Sequence, residues 1–381
     1  MTTFTLSQQQ DAAVAAVLDW FTLRQKPVFR LFGYAGTGKT SIAKTMAASI
    51  EQQTGKRVLF AAYTGKAASV LRSKGCDAST IHGLIYKPVD KIERLERMSD
   101  KEAEKATVDN KVEFELAGHD LRTGQVALVI IDECSMVGQK IGQDLLSFGV
   151  PVLVLGDPAQ LPPVGDGGYF TNGTPDVMLT EIHRQRDGCG ILDIATMVRT
   201  GQQLVPGTYS ESKVLPLSST YATDPFDYDQ VMVGRNTTRA TWNRKMRAKL
   251  GRTSPLPEPG DKLICLRNNT RARIVNGEQV VCVSAKEPDE WVFTLEFDRG
   301  NGPETCSASR HYFDGREGTP EFSGDGMLFF DFGYAITVHK SQGSQWPRVL
   351  VVNESNVFRE SAANWLYTAV TRASEHVTVL G

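Results

Sequence analysis

Short apolar runs alternate with helix-compatible segments along two stretches of this chain. In the first stretch, runs at residues 28–32, 57–62, 127–131 and 151–155 have the length and composition of strands that are buried on both faces. In the second, which begins near Glu181, similar runs lie at 230–234, 334–337, 349–352 and 377–380, and a basic helix-compatible stretch covers 237–250. This alternation predicts two α/β domains built on parallel sheets.

Two segments interrupt these domains. Residues 86–125 are highly charged and predict a small inserted subdomain. Pro255, Pro257 and Pro259 end the basic helix-compatible stretch, and the pattern then changes to short alternating strands at 263–266, 279–284 and 291–297, which is typical of a small β-barrel. The predicted organisation is a first domain (1A) at 1–85 and 126–183 with insertion 1B at 86–125, and a second domain (2A) at 184–260 and 332–381 with insertion 2B at 261–331.

The composition narrows the class of protein. The chain has 381 residues and 41% hydrophobic content, enough for two or three domains with their own cores. Six widely spaced cysteines without a Cys-x-x-Cys pair indicate neither a zinc site nor a disulfide framework, and a reducing cytoplasm is expected. No targeting segment or membrane span is expected either. A net charge of −2 gives no overall sign of nucleic-acid binding, so such a partner needs a locally basic groove.

Residues 33–40 carry the most specific chemical signal in the chain. They have the spacing Gly-x4-Gly-Lys-Thr, follow the first apolar run and open a helix-compatible segment. In such a loop, backbone N–H groups turn onto phosphate oxygens at a helix N-terminus, Lys39 reaches the β- and γ-phosphates, and the Thr40 hydroxyl is a ligand for Mg²⁺. The sequence therefore predicts a nucleotide site with Mg²⁺ as a cofactor, and the family resemblance described below makes ATP the implied nucleotide.

Two further strand ends supply candidate catalytic groups. Asp132 and Glu133 follow the buried run at 127–131, at the edge where doubly wound sheets bind their ligands. Asp132 is a candidate to hold Mg²⁺ and Glu133 to position or deprotonate the attacking water. Gln160 follows the run at 151–155 within a proline-rich segment, so it is either a γ-phosphate contact or part of a rigid turn.

Segments in a fixed order support a family assignment. They lie at 6–10, 33–40, 61–68, 79–82, 132–136, 156–164, 179–185, 335–343 and 366–373. In order and spacing they resemble the nucleotide-base motif and motifs I, Ia, Ib, II, III, IV, V and VI of superfamily 1 DNA helicases, in particular the Dda-like members of the RecD-like, 5′-to-3′ branch. The resemblance implies two RecA-like P-loop NTPase domains, a wedge insertion in the first and an SH3-like β-barrel insertion in the second.

The same resemblance implies roles for named residues. Because charge develops on phosphate oxygens that face away from the loop, arginines from a second domain stabilise it, and Arg184 and Arg372 match those positions. The residues implied to bind the nucleotide, apart from Lys39 and Thr40, are Gln10, Gly33, Ala35, Gly36, Thr37, Gly38 and Gly343. Gln10 is implied to contact the adenine edge.

The resemblance also implies a path for single-stranded DNA across the tops of both domains. The matching positions are Tyr63, Thr64, Thr80, His82, Asn236, Thr337, His339 and Lys340, with Phe114 as the strand-separating aromatic of the wedge. Outside their motifs, His82 and His339 are more often structural, and Phe114 is almost equally compatible with packing of its subdomain. Seven basic residues in and around 237–250 offer either local charge for DNA or a solvated helix face.

The predicted function is an ATP-dependent DNA helicase that moves 5′ to 3′ on single strands and opens forks or duplexes as a monomer in a bacterial or phage-infected cell. Replication or recombination proteins are candidate partners, and no membrane is expected. Two alternatives stay open. One is a translocase that displaces bound proteins, and the other is a P-loop kinase or nucleotide-binding module, which conflicts with the second α/β block and Arg372.

Overall fold

The computed structural model describes residues 6–89, 114–162, 168–182, 190–269, 271–286, 288–314 and 326–381. By their contacts these residues form two units, Met1–Tyr63, Ala68–Pro158 and Pro163–Ile182 in unit 1, and Thr64–Ala67, Ala159–Pro162 and His183–Gly381 in unit 2. In the described part of the chain, no helix is long and apolar enough to cross a membrane. The predicted role of Arg184 falls on a residue that lies outside the described residues.

Unit 1 is organised around a six-stranded parallel sheet. Its strands are β1 (Val28–Gly33), β2 (Arg57–Ala62), β3 (Ala78–Thr80), β6 (Val126–Asp132), β7 (Val152–Gly156) and β8 (Val177–Leu179), in the order β3-β2-β6-β7-β1-β8. Its helices are α1 (Gln8–Leu23), α2 (Lys39–Thr54), α3 (Gly65–Ser73, which begins in unit 2), α4 (Ile81–Ile85), α5 (His119–Arg122) and α6 (Gln139–Leu146). The four predicted strands are confirmed because their Val, Ile and Leu side chains are buried on both faces.

A short antiparallel pair stands beside this sheet. Strands β4 (Tyr86–Pro88) and β5 (Phe114–Leu116) pair in the register Tyr86 to Leu116 and Pro88 to Phe114. Phe114 and Leu116 are exposed by 57% and 38%. The described ends of the predicted insertion 1B therefore form a β ladder with an exposed aromatic ring.

Unit 2 contains a second six-stranded sheet. Its strands are β9 (Gly207–Tyr209), β10 (Ser212–Leu215), β11 (Gln230–Val233), β17 (Ala335–Thr337), β18 (Trp346–Val352) and β19 (Ala373–Leu380), in the order β17-β11-β18-β19-β10-β9. All pairs are parallel except β9 with β10. The helices are α7 (Gly190–Arg199), α8 (Asn236–Lys249) and α9 (Ala362–Val370). The second predicted α/β block is confirmed.

An antiparallel sheet interrupts this block as the strand pattern predicted. It consists of β12 (Lys262–Cys265), β13 (Gln279–Lys286), β14 (Val292–Asp298), β15 (Pro303–Ser309) and β16 (Phe330–Phe332), in the order β15-β14-β13-β12-β16. Alternate residues of β14, Phe293, Leu295 and Phe297, point into its core. The period of two that predicted these strands is therefore the period of their burial.

Candidate active site

The loop between β1 and α2 is shaped to bind an anion. Gly36 and Gly38 have φ values of +83° and +79°, and α2 begins directly afterwards at Lys39. A Cβ atom at Gly38 would lie 2.7 Å from the Gln10 side-chain nitrogen, so this position requires glycine for both its conformation and its space. The free N–H groups at the start of α2 give this loop a positive end for phosphate oxygens.

Lys39 lies across the mouth of this loop. Its Nζ donates hydrogen bonds to the carbonyl oxygens of Gly33, at 2.6 Å, and Tyr34, at 2.9 Å. Among the described residues, the ammonium group is thus held by weakly basic neutral acceptors and not by a carboxylate. A phosphate group carries full negative charge and can therefore compete for the ammonium group by moving it a short distance.

The predicted metal ligands meet beside the loop. The Thr40 hydroxyl donates a hydrogen bond of 2.9 Å to Asp132 Oδ2, which joins the start of α2 to the end of β6. The other oxygen, Asp132 Oδ1, accepts from the backbone N–H of Glu133 at 3.0 Å. A hydroxyl and a carboxylate oxygen at one place are hard ligands of the kind that Mg²⁺ uses together with water and phosphate, so the donor set suits that ion.

Glu133 follows in a conformation that is uncommon for a residue with a side chain. Its φ and ψ are 56° and 47°, in the left-handed region, and a 3-10 helix at Cys134–Met136 begins immediately after it. One carboxylate oxygen, Oε2, is buried. The turn therefore places the half-buried carboxylate of Glu133 at the end of β6, next to Asp132.

Gln10 is buried at 1% exposure, and its amide is engaged within unit 1. Nε2 donates to the Thr37 carbonyl at 3.1 Å, and Oε1 accepts from the Ser7 N–H at 3.1 Å as part of the capping box of α1. Gln9 ties the same helix to the end of β8, because its Oε1 accepts from the N–H of Thr180. Gln10 therefore supports the phosphate loop from behind, and its contact with adenine stays a prediction.

Gln160 and Arg372 are both held inside unit 2. Asn364 on α9 donates to the Gln160 carbonyl at 3.2 Å. Arg372 is only 4% exposed, and its guanidinium donates to the carbonyls of Thr368, at 3.2 Å, and Ser344, at 3.4 Å. Gly343, a predicted nucleotide contact with φ +74°, immediately precedes Ser344. Like Lys39, Arg372 is bonded to carbonyl oxygens in the contacts described here.

Two predicted DNA contacts of unit 1, Tyr63 and His82, form an aromatic row with Tyr86, for which no such role was predicted. The rings of Tyr63 and His82 lie edge to face at 6.4 Å, and those of His82 and Tyr86 lie at 5.3 Å. Burial lowers the pKa of His82, which favours the neutral imidazole. Thr80 caps α4 by accepting from the Gly83 N–H at 3.0 Å. The row offers ring faces for bases and no strong positive charge.

The predicted DNA contacts of unit 2 lie at element ends. Thr64 accepts from the Ala67 N–H, Asn236 is the exposed first residue of α8, and Thr337 ends β17. His339 has its ring 5.6 Å from that of Phe358, and burial lowers its pKa. Lys340 is exposed, and its Nζ donates to Asn276 at 2.9 Å.

The basic cluster around α8 requires a correction. Arg235 pairs with Glu354, Arg239 with Asp331, Lys249 with Asp224, and both Arg247 and Arg252 pair with Asp261. Arg247 also pairs with Glu258, so five of the seven basic residues form ion pairs with five acids of the fold. Sequence proximity overstated the charge available for DNA, because the compensating carboxylates are mostly distant in the chain.

Two residues of this region were missed by the sequence patterns. Glu354 accepts hydrogen bonds from the N–H groups of Gly234 and Arg235, at 2.8 and 3.0 Å, and from the Thr238 hydroxyl at 2.7 Å. Lys66 extends over the Trp346 ring at 5.1 Å and donates to the Gly277 carbonyl at 3.1 Å. Burial lowers the pKa of Lys66 to about 8, although Glu278 opposes the shift. Lys66 lies in the segment 61–68 that resembles motif Ia, but the sequence patterns gave it no role of its own.

Comparisons with known proteins agree with this geometry. An AAA domain family matches residues 5–215, more than half of the chain, and the chain belongs to that family. A UvrD-like helicase C-terminal domain matches residues 332–380.

Two curated proteins are similar to this chain. The ATP-dependent RecD2 DNA helicase of Deinococcus radiodurans is 27% identical over 411 residues, which cover 97% of this chain and 48% of that protein. The ATP-dependent DNA helicase dda of Enterobacteria phage T4 is 31% identical over 184 residues, which cover 45% of this chain and 37% of that protein. The chain thus spans about half the length of the RecD2 helicase. These matches confirm the RecD-like and Dda-like resemblance of the motifs.

Solved structures share the fold. The Pif1 helicase from Candida albicans has a TM-score of 0.55 at 18% identity and covers 100% of this chain and 95% of its own. The Pif1 helicase from Bacteroides, in complex with ADP-AlF3 and single-stranded DNA, has a TM-score of 0.54 at 17% identity and covers 98% and 92%. The predicted α/β architecture of P-loop helicases is therefore confirmed.

Proposed function

We propose that this protein is an ATP-dependent DNA helicase that couples ATP hydrolysis to 5′-to-3′ movement on single-stranded DNA and separates duplex strands. The observation that carries the proposal is the 2.9 Å bond between the Thr40 hydroxyl and the Asp132 carboxylate beside a phosphate loop whose Lys39 is bonded only to carbonyl oxygens in its described contacts. Hydrolysis of ATP requires the hydroxyl, the carboxylate and the ammonium group to lie close together.

Each group then has a defined task in hydrolysis. Thr40 and Asp132 would hold Mg²⁺, which supplies charge neutralisation on the β- and γ-phosphate oxygens. Lys39 leaves the carbonyls of Gly33 and Tyr34 for the phosphates. Glu133, aimed by its left-handed turn, orients the attacking water and accepts its proton.

Arg372 supplies the remaining charge stabilisation. A guanidinium that is buried and bonded to two carbonyls is already desolvated, so it gains more from a developing phosphate charge than a hydrated one would. Arg184 is proposed as its partner on the strength of its motif.

The nucleic-acid part of the proposal has separate support. The relatives are named as DNA helicases, and the aromatic row of Tyr63, His82 and Tyr86 offers stacking faces. We assign the wedge to 86–125 because Phe114 is 57% exposed on β5, where packing alone would bury it. We assign the SH3-like insertion to the antiparallel sheet β12 to β16.

The test combines turnover and strand separation. ATP hydrolysis is measured with and without a 20-nucleotide oligo-dT, and unwinding is measured on duplexes with a 5′ or a 3′ single-stranded tail, with Lys39→Ala as the inactive control. We expect DNA-stimulated hydrolysis and unwinding from the 5′ tail. Displacement of streptavidin from biotinylated DNA without strand separation would favour the translocase, and DNA-independent turnover would contradict both.

A further inference from the structure

A turn between β12 and β13 carries three arginines, Arg267, Arg271 and Arg273, called the basic turn below. Arg271 and Arg273 are exposed, whereas Arg267 is half-buried with its guanidinium 4.4 Å from the centre of the Phe329 ring. Within the described residues, neither Arg271 nor Arg273 forms an ion pair with a carboxylate. This distinguishes the basic turn from α8, where most of the charges are neutralised by acids.

Several hydrogen bonds hold the described backbone of the turn, at 266–269 and 271–278. Asn269 and Ile274 exchange both backbone hydrogen bonds, at 2.9 and 3.1 Å, and Asn269 Oδ1 accepts from the Ala272 N–H at 2.9 Å. Arg299 donates to the carbonyls of Ala272 and Arg273, at 2.9 and 3.0 Å. Because these carbonyls are tied to Arg299, the turn presents its exposed arginines from a fixed backbone.

Arg273 adopts φ +50°, in the left-handed region. This conformation is strained for a residue other than glycine. The carbonyl bonds from Arg299 hold it, and the acids Glu278 and Glu304 in turn neutralise Arg299. The charge of Arg299 is therefore compensated within the protein, whereas the exposed Arg271 and Arg273 are available to bind a ligand.

The basic turn adjoins two of the segments proposed to contact DNA, all within unit 2. Lys340 donates to Asn276 Oδ1 at 2.9 Å, and Asn276 donates its N–H to Asn268 Oδ1 at 2.8 Å. On the other side, a Cβ atom at Gly65 would lie 2.6 Å from Val275, so the segment that begins with Thr64 packs directly on the turn. A chain of contacts thus leads from Lys340 to the basic turn.

We propose that the basic turn is a phosphate-binding extension of the single-strand path, where Arg271 and Arg273 contact successive phosphodiesters of a strand that passes Lys340. The proposal rests on the helicase function proposed above. Guanidinium groups match phosphate geometry, and exposed ones recognise the backbone without regard to base identity. The antiparallel sheet would then contribute directly to the binding of single-stranded DNA.

The test is the salt dependence of DNA binding by the full chain. Affinity for fluorescein-labelled oligo-dT of 20 nucleotides is measured by anisotropy between 50 and 300 mM NaCl for wild type and for Arg271→Ala/Arg273→Ala. Loss of two phosphate contacts on a single strand lowers the slope of log affinity against log salt by about 1.4 and weakens binding at 0.1 M salt about 25-fold. The same loss on a mixed-sequence oligonucleotide is expected, because phosphates are alike.

Matched variants distinguish a specific phosphate site at the basic turn from a general effect of positive charge on DNA binding. Arg244→Ala/Lys245→Ala removes two exposed charges from α8 and should leave the slope unchanged, whereas Arg271→Lys/Arg273→Lys should restore most of it. Equal losses from both alanine pairs, or an unchanged slope in Arg271→Ala/Arg273→Ala with wild-type melting temperature, would overturn the proposal while leaving the helicase assignment intact. A wild-type protein that binds no oligo-dT would overturn both.

Discussion

The two sheets share the order and parallel direction of their first five strands but differ in the chemistry at the ends of corresponding strands. Counted from the β3 or β17 edge, the fifth strand is β1 in unit 1 and β10 in unit 2. The phosphate loop follows β1, whereas Pro216 and a 3-10 helix follow β10. The third strands, β6 and β18, both have acidic residues at their ends: β6 ends at Asp132 and is followed by Glu133, and Glu354 lies two residues after β18.

These acids have different partners. Asp132 bonds the Thr40 hydroxyl beside the open start of α2, whereas Glu354 occupies the start of α8 and accepts from two backbone N–H groups. A helix start that already holds a carboxylate has little affinity left for a phosphate. The start of α2, after the fifth strand of its sheet, is therefore open to an anion, whereas the start of α8, after the second strand of the other sheet, is closed by a carboxylate of the protein itself.

The largest test of this contrast is Lys39→Ala. Removing the ammonium leaves phosphate charge uncompensated in the open loop, so we expect ATP hydrolysis to fall by at least about 10³-fold and unwinding to disappear. Turnover is measured at saturating single-stranded DNA, with the melting temperature as the folding control. Near-normal hydrolysis would remove unit 1 from the catalytic role.

Arg372→Ala tests the contribution of unit 2. The guanidinium acts mainly on charge that develops in the transition state, so turnover should fall by a factor on the order of 10³ with ATP binding retained. Binding is followed with a fluorescent ATP analogue. Arg372→Lys shows whether a positive charge without the planar guanidinium group is sufficient for turnover. Lost nucleotide affinity at an unchanged turnover number would instead indicate ground-state binding.

Phe114→Ala should separate unwinding from hydrolysis. An exposed ring that stacks on a base contributes about 1–3 kcal/mol, so fork unwinding should slow about tenfold while DNA-stimulated hydrolysis and single-strand translocation stay unchanged. Leu116→Ala, two residues along on the same face of β5, is the matched control. Parallel loss of every activity together with a lowered melting temperature would favour a packing role for Phe114.

Glu354→Ala tests the closed helix start. The change leaves the N–H groups of Gly234 and Arg235 without their carboxylate acceptor, which should destabilise this part of unit 2 by about 1–3 kcal/mol. Hydrogen exchange should speed up in peptides that cover the start of α8, with little change around α2. Glu360→Ala, an exposed acid in the same segment, should alter neither. Unchanged exchange at α8 would refute the capping role.

The smallest effect is expected for Lys66→Met. The folded-state pKa of Lys66 is about 8, below the ordinary value of 10.5, so the protonated side chain disfavours folding below pH 8, and this penalty fades as pH rises towards 10.5. The melting temperature of wild type relative to Lys66→Met should therefore increase between pH 7 and pH 9.5. A difference that is constant across this range would show that Lys66 titrates normally.

Local patterns predicted the elements that bury their own side chains. The runs at 57–62 and 230–234 became strands within one residue, and the basic stretch at 237–250 became α8 at Asn236–Lys249. The glycine spacing of 33–40 likewise fixed the loop, because its backbone conformation depends on those glycines. Strands β9 and β10 were not predicted, since they are short, β9 is largely exposed and only Ser212 and Val214 of β10 are buried.

Interactions between distant residues could not be predicted in this way. Glu354 lies 120 residues from the N–H of Gly234 that it caps, and Asp331 lies 92 residues from Arg239. Charge patterns along a helix contain no information about such partners, so the charge of α8 was overestimated and that of the basic turn was overlooked. The DNA-binding residues inferred from motifs stay predictions for the same reason.

The buried carboxylate of Asp261 bears on how this protein can be divided by engineering. It is fully buried, and it accepts from Arg247, Arg252 and the Tyr334 hydroxyl, which come from α8, the segment after it and the strand region beyond the antiparallel sheet. A deletion of 261–331 would leave Arg247 buried without this counter-ion, at a cost of several kcal/mol. The antiparallel sheet therefore cannot be deleted as a whole without loss of stability. A shortened variant has to retain Asp261 and to join the chain between Asp261 and Tyr334.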